Sequence, residues 1–501
     1  MSTLVTLVTI NARYHHRSAA LQTLKANAGN LIDSIEIMEF SLEDRPEDIV
    51  EKIIESCCRI VGFSVYIWNY VEILRVVSLL KKVAPDIITI LGGPEASFEY
   101  ENSEIFELTD YLICGEGEEV FPQLCSDILA GRKPDKVIVA EPCDLKKLKF
   151  PDVSALESVA GRIVYIETSR GCPFNCHFCI SGEDKRVRRF ETEQVIDYLG
   201  RLYETGLNHY KFLDRSMVNG PYREVLQWFA TIDSSDISVH FELNPDSIPP
   251  SFFEELFKLR KMSIQLELGI QTFNEEVLER IGRKQNNDLA VSNIGRLLEK
   301  PNIHIHSDII AGLPGESLDS ISQSFDTLYF SGVHEIQFGI LKRLKGAAIS
   351  KHTDEFSMVY SSFPPYNVLS TSTISFNVMQ KLRRFARYLD LVFNSGNFYN
   401  SSRLIMGDRP FVNFMEFTKW LWKGSGQTHK LSRDRLAAYI FNYLNEKAES
   451  DSSLVIKSDY ERLNHIFPSK ILEPESPKRP VVFFRRQKKH SQGDGSDNRI
   501  K

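Results

Sequence analysis

The segment Ser169-Arg-Gly-Cys-Pro-Phe-Asn-Cys-His-Phe-Cys-Ile180 decides how the rest of the chain is read. Cys172, Cys176 and Cys179 form a C-x3-C-x2-C run. Three thiolates this close can hold three irons of one [4Fe–4S] cluster and leave the fourth iron without a protein ligand. An electron-transfer cluster calls for a fourth cysteine nearby, and none follows. The open iron is then available to chelate a substrate or a cofactor. A structural zinc site would need four ligands in paired spacing, and His177 could supply the fourth only by crowding between Cys176 and Cys179.

The surrounding chain bounds what such a site can belong to. A length of 501 residues implies several domains with buried cores, and a net charge of −7 argues against a nucleic-acid-coating protein. The opening Met1–Ile10 lacks a basic region and a long apolar run, so it reads as a strand and not an export signal. No apolar stretch approaches the ~18–20 residues of a membrane span. The other five cysteines, Cys57, Cys58, Cys114, Cys125 and Cys143, are scattered and read as buried, unpaired thiols. A reducing, cytoplasmic location suits them and an oxygen-sensitive cluster alike.

Residues 1–135 alternate β-rich runs (Leu4–Ile10, Ser34–Met38, Ile60–Ser64, Ile87–Leu91, Tyr111–Cys114) with helical stretches (Ser18–Ala28, Glu47–Cys57, Tyr70–Val83). That alternation predicts an α/β domain with a doubly wound parallel sheet, whose ligand site lies beyond the carboxyl ends of the strands. Gly92-Gly93-Pro94 and Gly115-Glu116-Gly117-Glu118 fall there, and each glycine pair permits close approach to the backbone. Residues 136–160, rich in Lys, Asp and Pro, read as a linker with Lys146, Lys147 and Lys149 in solvent.

A second repeating region, 161–348, carries six further β/α units: Ile163–Ser169, Tyr210–Leu213, Val239–Leu243, Ile264–Gly269, Ile303–Ile310 and Ile336–Leu341. Six units predict a partial (β/α)6 barrel with its chemistry at the carboxyl strand ends, and the cysteine loop follows the first strand. Residues 349–475 read as helical and aromatic-rich, with Tyr366, Tyr399 and Trp420 either in helix packing or lining a pocket. The tail from about 476 is expected to be disordered: Lys478–Lys501 holds eight Lys/Arg against two Asp.

The cysteine run, with Phe178 before its last member, resembles the signature of the radical S-adenosylmethionine (SAM) enzymes. That resemblance implies reductive cleavage of SAM to a 5′-deoxyadenosyl radical, with Phe178 beside the adenine. It also implies a flavodoxin or ferredoxin reductant. By the same resemblance Asp214, Glu242, Glu267, Asp308 and Gly312, all at strand ends, serve SAM. Glu267-Leu-Gly-Ile-Gln-Thr-Phe273 and the segment through Arg283 resemble the fourth-strand region of coproporphyrinogen dehydrogenase-like members, which places Gln271 and Arg283 at the SAM ribose and carboxylate.

Ser64-Val-Tyr-Ile-Trp-Asn69 and the two glycine pairs resemble the cobalamin-binding domain that precedes the barrel in one large subgroup. Ser64, Gly92, Gly93, Gly115 and Glu116 would then line the cobalamin site. His16 stands at the histidine spacing of the Asp-x-His-x-x-Gly cobalt-ligand motif, but Tyr14 and Ala19 replace the aspartate and glycine. The second-shell partner of a ligating imidazole is therefore missing, which leaves His16 as ligand, as a loop contact to the corrin, or neither. The resemblance implies a cobalamin-dependent radical SAM enzyme, with methylation of an unactivated carbon as the leading reaction, on a small-molecule or natural-product-like substrate that the sequence does not identify. A radical SAM enzyme without cobalamin, or a haem or corrinoid chaperone, is the alternative; neither nucleic acid nor membrane is an expected partner.

Overall fold

The computed structural model describes residues 3–12, 17–153, 163–182, 185–447 and 452–463. His16 and the basic tail lie outside the described residues. The first sheet is built from β1 (Val5–Asn11), β2 (Ile35–Ser41), β3 (Ile60–Ser64), β4 (Ile88–Gly92), β5 (Tyr111–Cys114) and β6 (Val137–Val139). All six are parallel in the order β2-β1-β3-β4-β5-β6, so the winding direction reverses beside β1. Every residue of β1 is buried, as a central strand covered on both faces requires. Between the strands run α1 (Ala19–Ala26), capped by Ser18, α2 (Pro46–Glu55), which starts on a proline, α3 (Tyr70–Val83), the short α4 (Glu104–Leu108) and α5 (Val120–Leu129).

Two sequence expectations change here. The stretch read as linker contributes β6 to the sheet, and its Cys143, Leu145 and Leu148 are buried against the second domain. The lysines of that stretch are exposed, but their apolar neighbours make it a packed seam. Cys57 is exposed on a left-handed turn, unlike the other four scattered cysteines.

The second sheet begins with β7 (Val164–Ile166). Beyond it β8 (Ser169–Arg170) pairs antiparallel with β9 (Arg188–Arg189) and closes the cysteine loop into a small hairpin. The sheet continues with β10 (His209–Phe212), β11 (Ser238–Leu243), β12 (Ser263–Gln271), β13 (Ile303–Ala311) and β14 (Glu335–Ile340), with helices α6 (Thr192–Glu204), α7 (Tyr222–Thr231), α8 (Pro250–Leu256), α9 (Glu275–Arg280), α10 (Asn287–Leu298) and α11 (Leu318–Phe330) between. The strand order follows the chain from β7 to β14, all parallel, and the two end strands do not pair. This is an open (β/α)6 arrangement. Along β12 and β13 burial alternates residue by residue, so apolar side chains pack under the helices while Glu267, His306 and Asp308 face the other way.

The exposed side of β14 is covered from the C-terminal region, α12 (Phe376–Leu389), α13 (Tyr399–Met406), α14 (Pro410–Ser425), α15 (Arg433–Glu446) and α16 (Ser452–Arg462). The Phe385 ring of α12 packs at a tilt, 4.9 Å between centroids, against both Phe338 of β14 and Phe411 of α14. Each such buried ring contributes about 1.5–3 kcal/mol. Asn394 then treats the edge strand as a partner strand would: its Oδ1 accepts from Ile336 N (3.0 Å) and its Nδ2 donates to Ile336 O (2.9 Å).

Candidate functional site

The carboxyl ends of both sheets open toward each other. A cavity of about 1100 Å³ runs from the winding reversal of the first sheet to the mouth of the second. A smaller one of about 150 Å³ sits over the cysteine loop. Ser181, Arg215 and Glu242 line both, so the two spaces adjoin.

The first cavity is shaped by missing side chains. Its floor descends between the sheet and α1 and α5, lined by Leu7, Leu24, Gly62, Ile90, Ile113 and Phe121. A Cβ on Gly62 would lie 2.8 Å from Leu7 Cδ2 and 3.3 Å from Phe121, so these two side chains pack onto this glycine and a larger residue would push them into the slot. Ser64 Oγ is buried there without a hydrogen bond of normal geometry, although it lies close enough to perturb the Tyr66 phenol. An apolar slot with one orphaned hydroxyl fits a flat heteroaromatic tail such as that of cobalamin. Tyr66 stacks on the half-exposed Trp68 (4.4 Å, 6°) at the cavity wall. Asn69 fixes this loop by donating to Ile10 O and Ser64 O (both 3.1 Å) and accepting from Tyr66 N (2.8 Å).

The glycine pairs line the cavity, but for different reasons than ligand approach alone. Gly93 has φ +102, and a Cβ there would sit 2.6 Å from Val65 O; Gly115 has φ +94 and would meet Ala140 O at 2.9 Å. Backbone packing already demands glycine at both. Gly92 is the exception, with its nearest neighbour 3.9 Å away and room toward the cavity. Glu116 is committed to a clamp between domains. It accepts from Arg170 Nη1 (3.0 Å), Arg188 Nη1 (3.1 Å) and Cys143 N (2.9 Å). Burial would raise its pKa, but Arg188 and Arg170 outweigh that and hold the carboxyl below the usual range. Arg170, two residues before Cys172, also binds Glu118 (2.6 Å) and Glu167 (2.9 Å).

The smaller cavity is shaped by charges. Cys172, Cys176, Cys179 and Phe178 line one side, and Glu242, Glu267, Gln271, Arg283 and Asp308 line the other. Three cysteine side chains converging on one cavity, with no fourth among its lining, fit a cluster with one open iron. Gln271 reaches the cavity because β12 slips its register between Gly269 and Gln271, where Gln271 takes φ +71. Arg283 is buried, donating to Gln285 Oε1 (2.9 Å), Gly269 O and Cys176 Sγ (3.7 Å). Glu267 is held as a carboxylate near pKa about 2 by the His240 hydrogen bond and, against its burial, by Lys211. Asp308 is pushed the other way, to about 8, by burial and by the Glu267 and Glu242 charges. Its Oδ1 is buried without a hydrogen bond, and His306 Nε2 lies 3.6 Å from it.

Two expected SAM residues are not part of this wall. Asp214 is 1% exposed and lines neither cavity. Its carboxylate accepts from Thr168 N (3.1 Å), Thr168 Oγ1 (2.6 Å) and Ser169 Oγ (2.5 Å), bracing the start of the cysteine loop. Gly312 faces the C-terminal region, where a Cβ would meet Val368 Cγ1 at 2.6 Å. Tyr366, an aromatic of undecided role in the sequence, donates to Glu95 Oε1 (2.6 Å) and bolts that region to the first domain. Sequence reasoning missed Gly62, whose signal is a glycine inside an otherwise apolar strand, and Arg215.

The comparisons agree with this geometry. The profile described as B12 binding domain matches residues 5–125, that of the Radical SAM superfamily 166–328, and a protein of unknown function (DUF4080) 354–490. Among curated proteins the chain is similar to 2-(S-pantetheinyl)-carbapenam-3-carboxylate methyltransferase of Streptantibioticus cattleyicolor (24% identity, 56% of this chain, 47% of the relative). It is similar also to the cobalamin-dependent radical SAM methyltransferase TokK of Streptomyces tokunonensis (24%, 55% and 45%). The chain thus spans about half the length of these relatives. Among solved structures, the cobalamin-dependent S-adenosylmethionine radical enzyme OxsB superposes with TM-score 0.64 at 15% identity, covering 93% of this chain and 82% of the other.

Proposed function

On the footing that this chain belongs to the radical SAM proteins carrying an N-terminal B12-binding domain, we propose that it is a cobalamin-dependent radical SAM methyltransferase. Its substrate is a small, natural-product-like molecule methylated at an unactivated carbon, and its reductant a flavodoxin or ferredoxin. The observation that carries this reading is the adjoining of the two cavities at Ser181, Arg215 and Glu242. A reaction that needs two cofactors against one substrate requires such a shared wall. Cobalamin-dependent methyl transfer in the names of similar proteins supports the same direction.

Cys172, Cys176 and Cys179 would hold the cluster, and the slot at Gly62, Ser64 and Gly92 the tail of cobalamin. When bound, the cluster supplies the electron that cleaves SAM and methylcobalamin supplies the methyl group. The chain's own residues bind and orient. Arg283 and Gln271 offer donors to SAM, and Glu267 stays an acceptor. Asp308, its pKa raised by burial and by the Glu267 and Glu242 charges, brings a carboxyl with reduced acidity to the same wall. The Arg170 clamp keeps the two domains closed over the chamber and limits water.

The test is anaerobic reconstitution with iron, sulfide and hydroxocobalamin, followed by reduction with SAM present. Retained corrinoid absorbance and release of both 5′-deoxyadenosine and S-adenosylhomocysteine are expected. A protein that makes 5′-deoxyadenosine but retains no corrinoid would end the methyl-transfer reading, and one that makes neither product would end the radical reading.

A further inference from the structure

Resting on the function proposed above, we infer that the substrate carries an anionic group, a carboxylate or a phosphate, and that Arg215 is the residue that docks it. Five arginines line the two cavities: Arg17, Arg170, Arg188, Arg215 and Arg283. Four of them are engaged. Arg17 faces Glu39 (3.7 Å), Arg170 is shared among three carboxylates, Arg188 donates to Cys143 O (2.8 Å) and to Glu116, and Arg283 donates to Gln285. Arg215 alone forms no hydrogen bond or ion pair among the described residues, and it is one of the three residues that line both spaces.

Its neighbours hold the backbone that carries it. Asp214 is pinned by Thr168 and Ser169, and Ser216 and Met217 are fully buried. Arg215 is therefore the one exposed side chain of the turn after β10, on backbone that its neighbours hold in place. Glu242 shares the chamber but does not come within ion-pair distance; burial and the Glu267 charge raise its pKa against the longer-range pull of Arg215 itself. The guanidinium keeps its full donor set for an incoming oxyanion, and its planar fork suits bidentate binding of carboxylate or phosphate. Lys211, on β10 and lining the same chamber, has only a loose contact to Glu267 (3.7 Å) and adds positive potential on the approach.

Two other anions could claim Arg215: the carboxylate of SAM and the phosphate of cobalamin. The experiment separates them. Holoprotein reconstituted with cluster, cobalamin and SAM is titrated anaerobically by calorimetry with succinate and with inorganic phosphate. Wild type should bind one of the two with a dissociation constant on the order of millimolar, Arg215→Gln at least about tenfold more weakly, and Arg215→Lys in between. SAM affinity and corrinoid content of all three should agree within about twofold. Equal anion binding by wild type and Arg215→Gln, or none by wild type, would overturn the assignment. So would a tenfold loss of SAM affinity or a loss of corrinoid in Arg215→Gln, because the arginine would then serve a cofactor. Formation of 5′-deoxyadenosine is followed in the same samples. Its absence from wild type would sink the radical reading, while the anion titration still decides the role of Arg215.

Discussion

The two parallel sheets solve the problem of making a site in opposite ways. In the first domain the space exists because side chains are small or missing, at Gly92 above all, and its walls are apolar with one serine hydroxyl that makes no hydrogen bond of normal geometry. In the second domain the space exists because ionisable side chains are held apart, with Glu267, Asp308, Arg283 and Glu242 around three cysteines. A site made by omission should tolerate changes of charge and fail when volume is added. A site made by charge placement should do the reverse.

The largest effect tests the second domain at its base. Cys172→Ala, Cys176→Ala and Cys179→Ala should each abolish the four-iron cluster and 5′-deoxyadenosine formation, since three ligands leave no spare. Iron and sulfide analysis decides it, and a full cluster in any variant would refute the ligand set. Next comes volume in the first domain. Gly92→Leu enters free space, so the chain should fold with its cluster intact yet lose corrinoid affinity by about ten- to a hundredfold, the equivalent of ~1–3 kcal/mol of overpacking. Gly93→Ala should instead lower thermal stability by about 1–3 kcal/mol, because its φ and the contact to Val65 O are strained with or without ligand. Spectra of bound corrinoid beside unfolding curves separate the two glycines. If both behaved alike, the slot would not be where Gly92 points.

Smaller effects follow in the charged site. Gln271→Ala and Arg283→Ala should weaken SAM binding by about tenfold while the cluster's iron content stays unchanged, read by anaerobic titration. The smallest concerns Glu316, 1% exposed, whose pKa burial raises to about 7 despite hydrogen bonds from Thr272 and Ser320. A folded pKa above the ordinary carboxylate value stabilises the protonated protein, and that contribution fades as pH rises through about 7. Between about pH 6 and 8 wild type should lose on the order of 1 kcal/mol that Glu316→Gln keeps. Parallel melting curves across that range would contradict the buried acid.

The same contrast explains what could be read from the chain in advance. The strands of both sheets were legible because apolar runs alternating with helical periodicity admit few arrangements, and Ile60–Ser64, Tyr111–Cys114 and Tyr70–Val83 coincide with the observed elements. That the three cysteines would come together was legible because their spacing is local, and all three line one cavity. Asp214 and Gly312 were misplaced for a shared reason. Each lies at a strand end, but only three-dimensional packing decides whether a side chain turns into the cavity or back against Thr168 or Val368. Arg215 went unnoticed because nothing local marks an unpartnered arginine; its meaning comes from four other arginines that found partners. Residues 136–160 read as linker because Lys146, Lys147 and Lys149 mask the buried Cys143, Leu145 and Leu148 between them.

Arg170 binds Glu116 and Glu118 of the first domain, yet stands on the hairpin that carries Cys172. Arg188, on the other strand of that hairpin, binds Glu116 as well, so metal loading and domain closure are thermodynamically linked through these two side chains. If closure raises the affinity of the hairpin for iron, loading must favour closure by the same factor. Removing the first domain would leave Arg170 with only Glu167 for a partner and release the hairpin that carries the cysteines. A barrel expressed alone should therefore assemble its cluster poorly with every cysteine still in place, so maturation of the second site runs through the folding of the first.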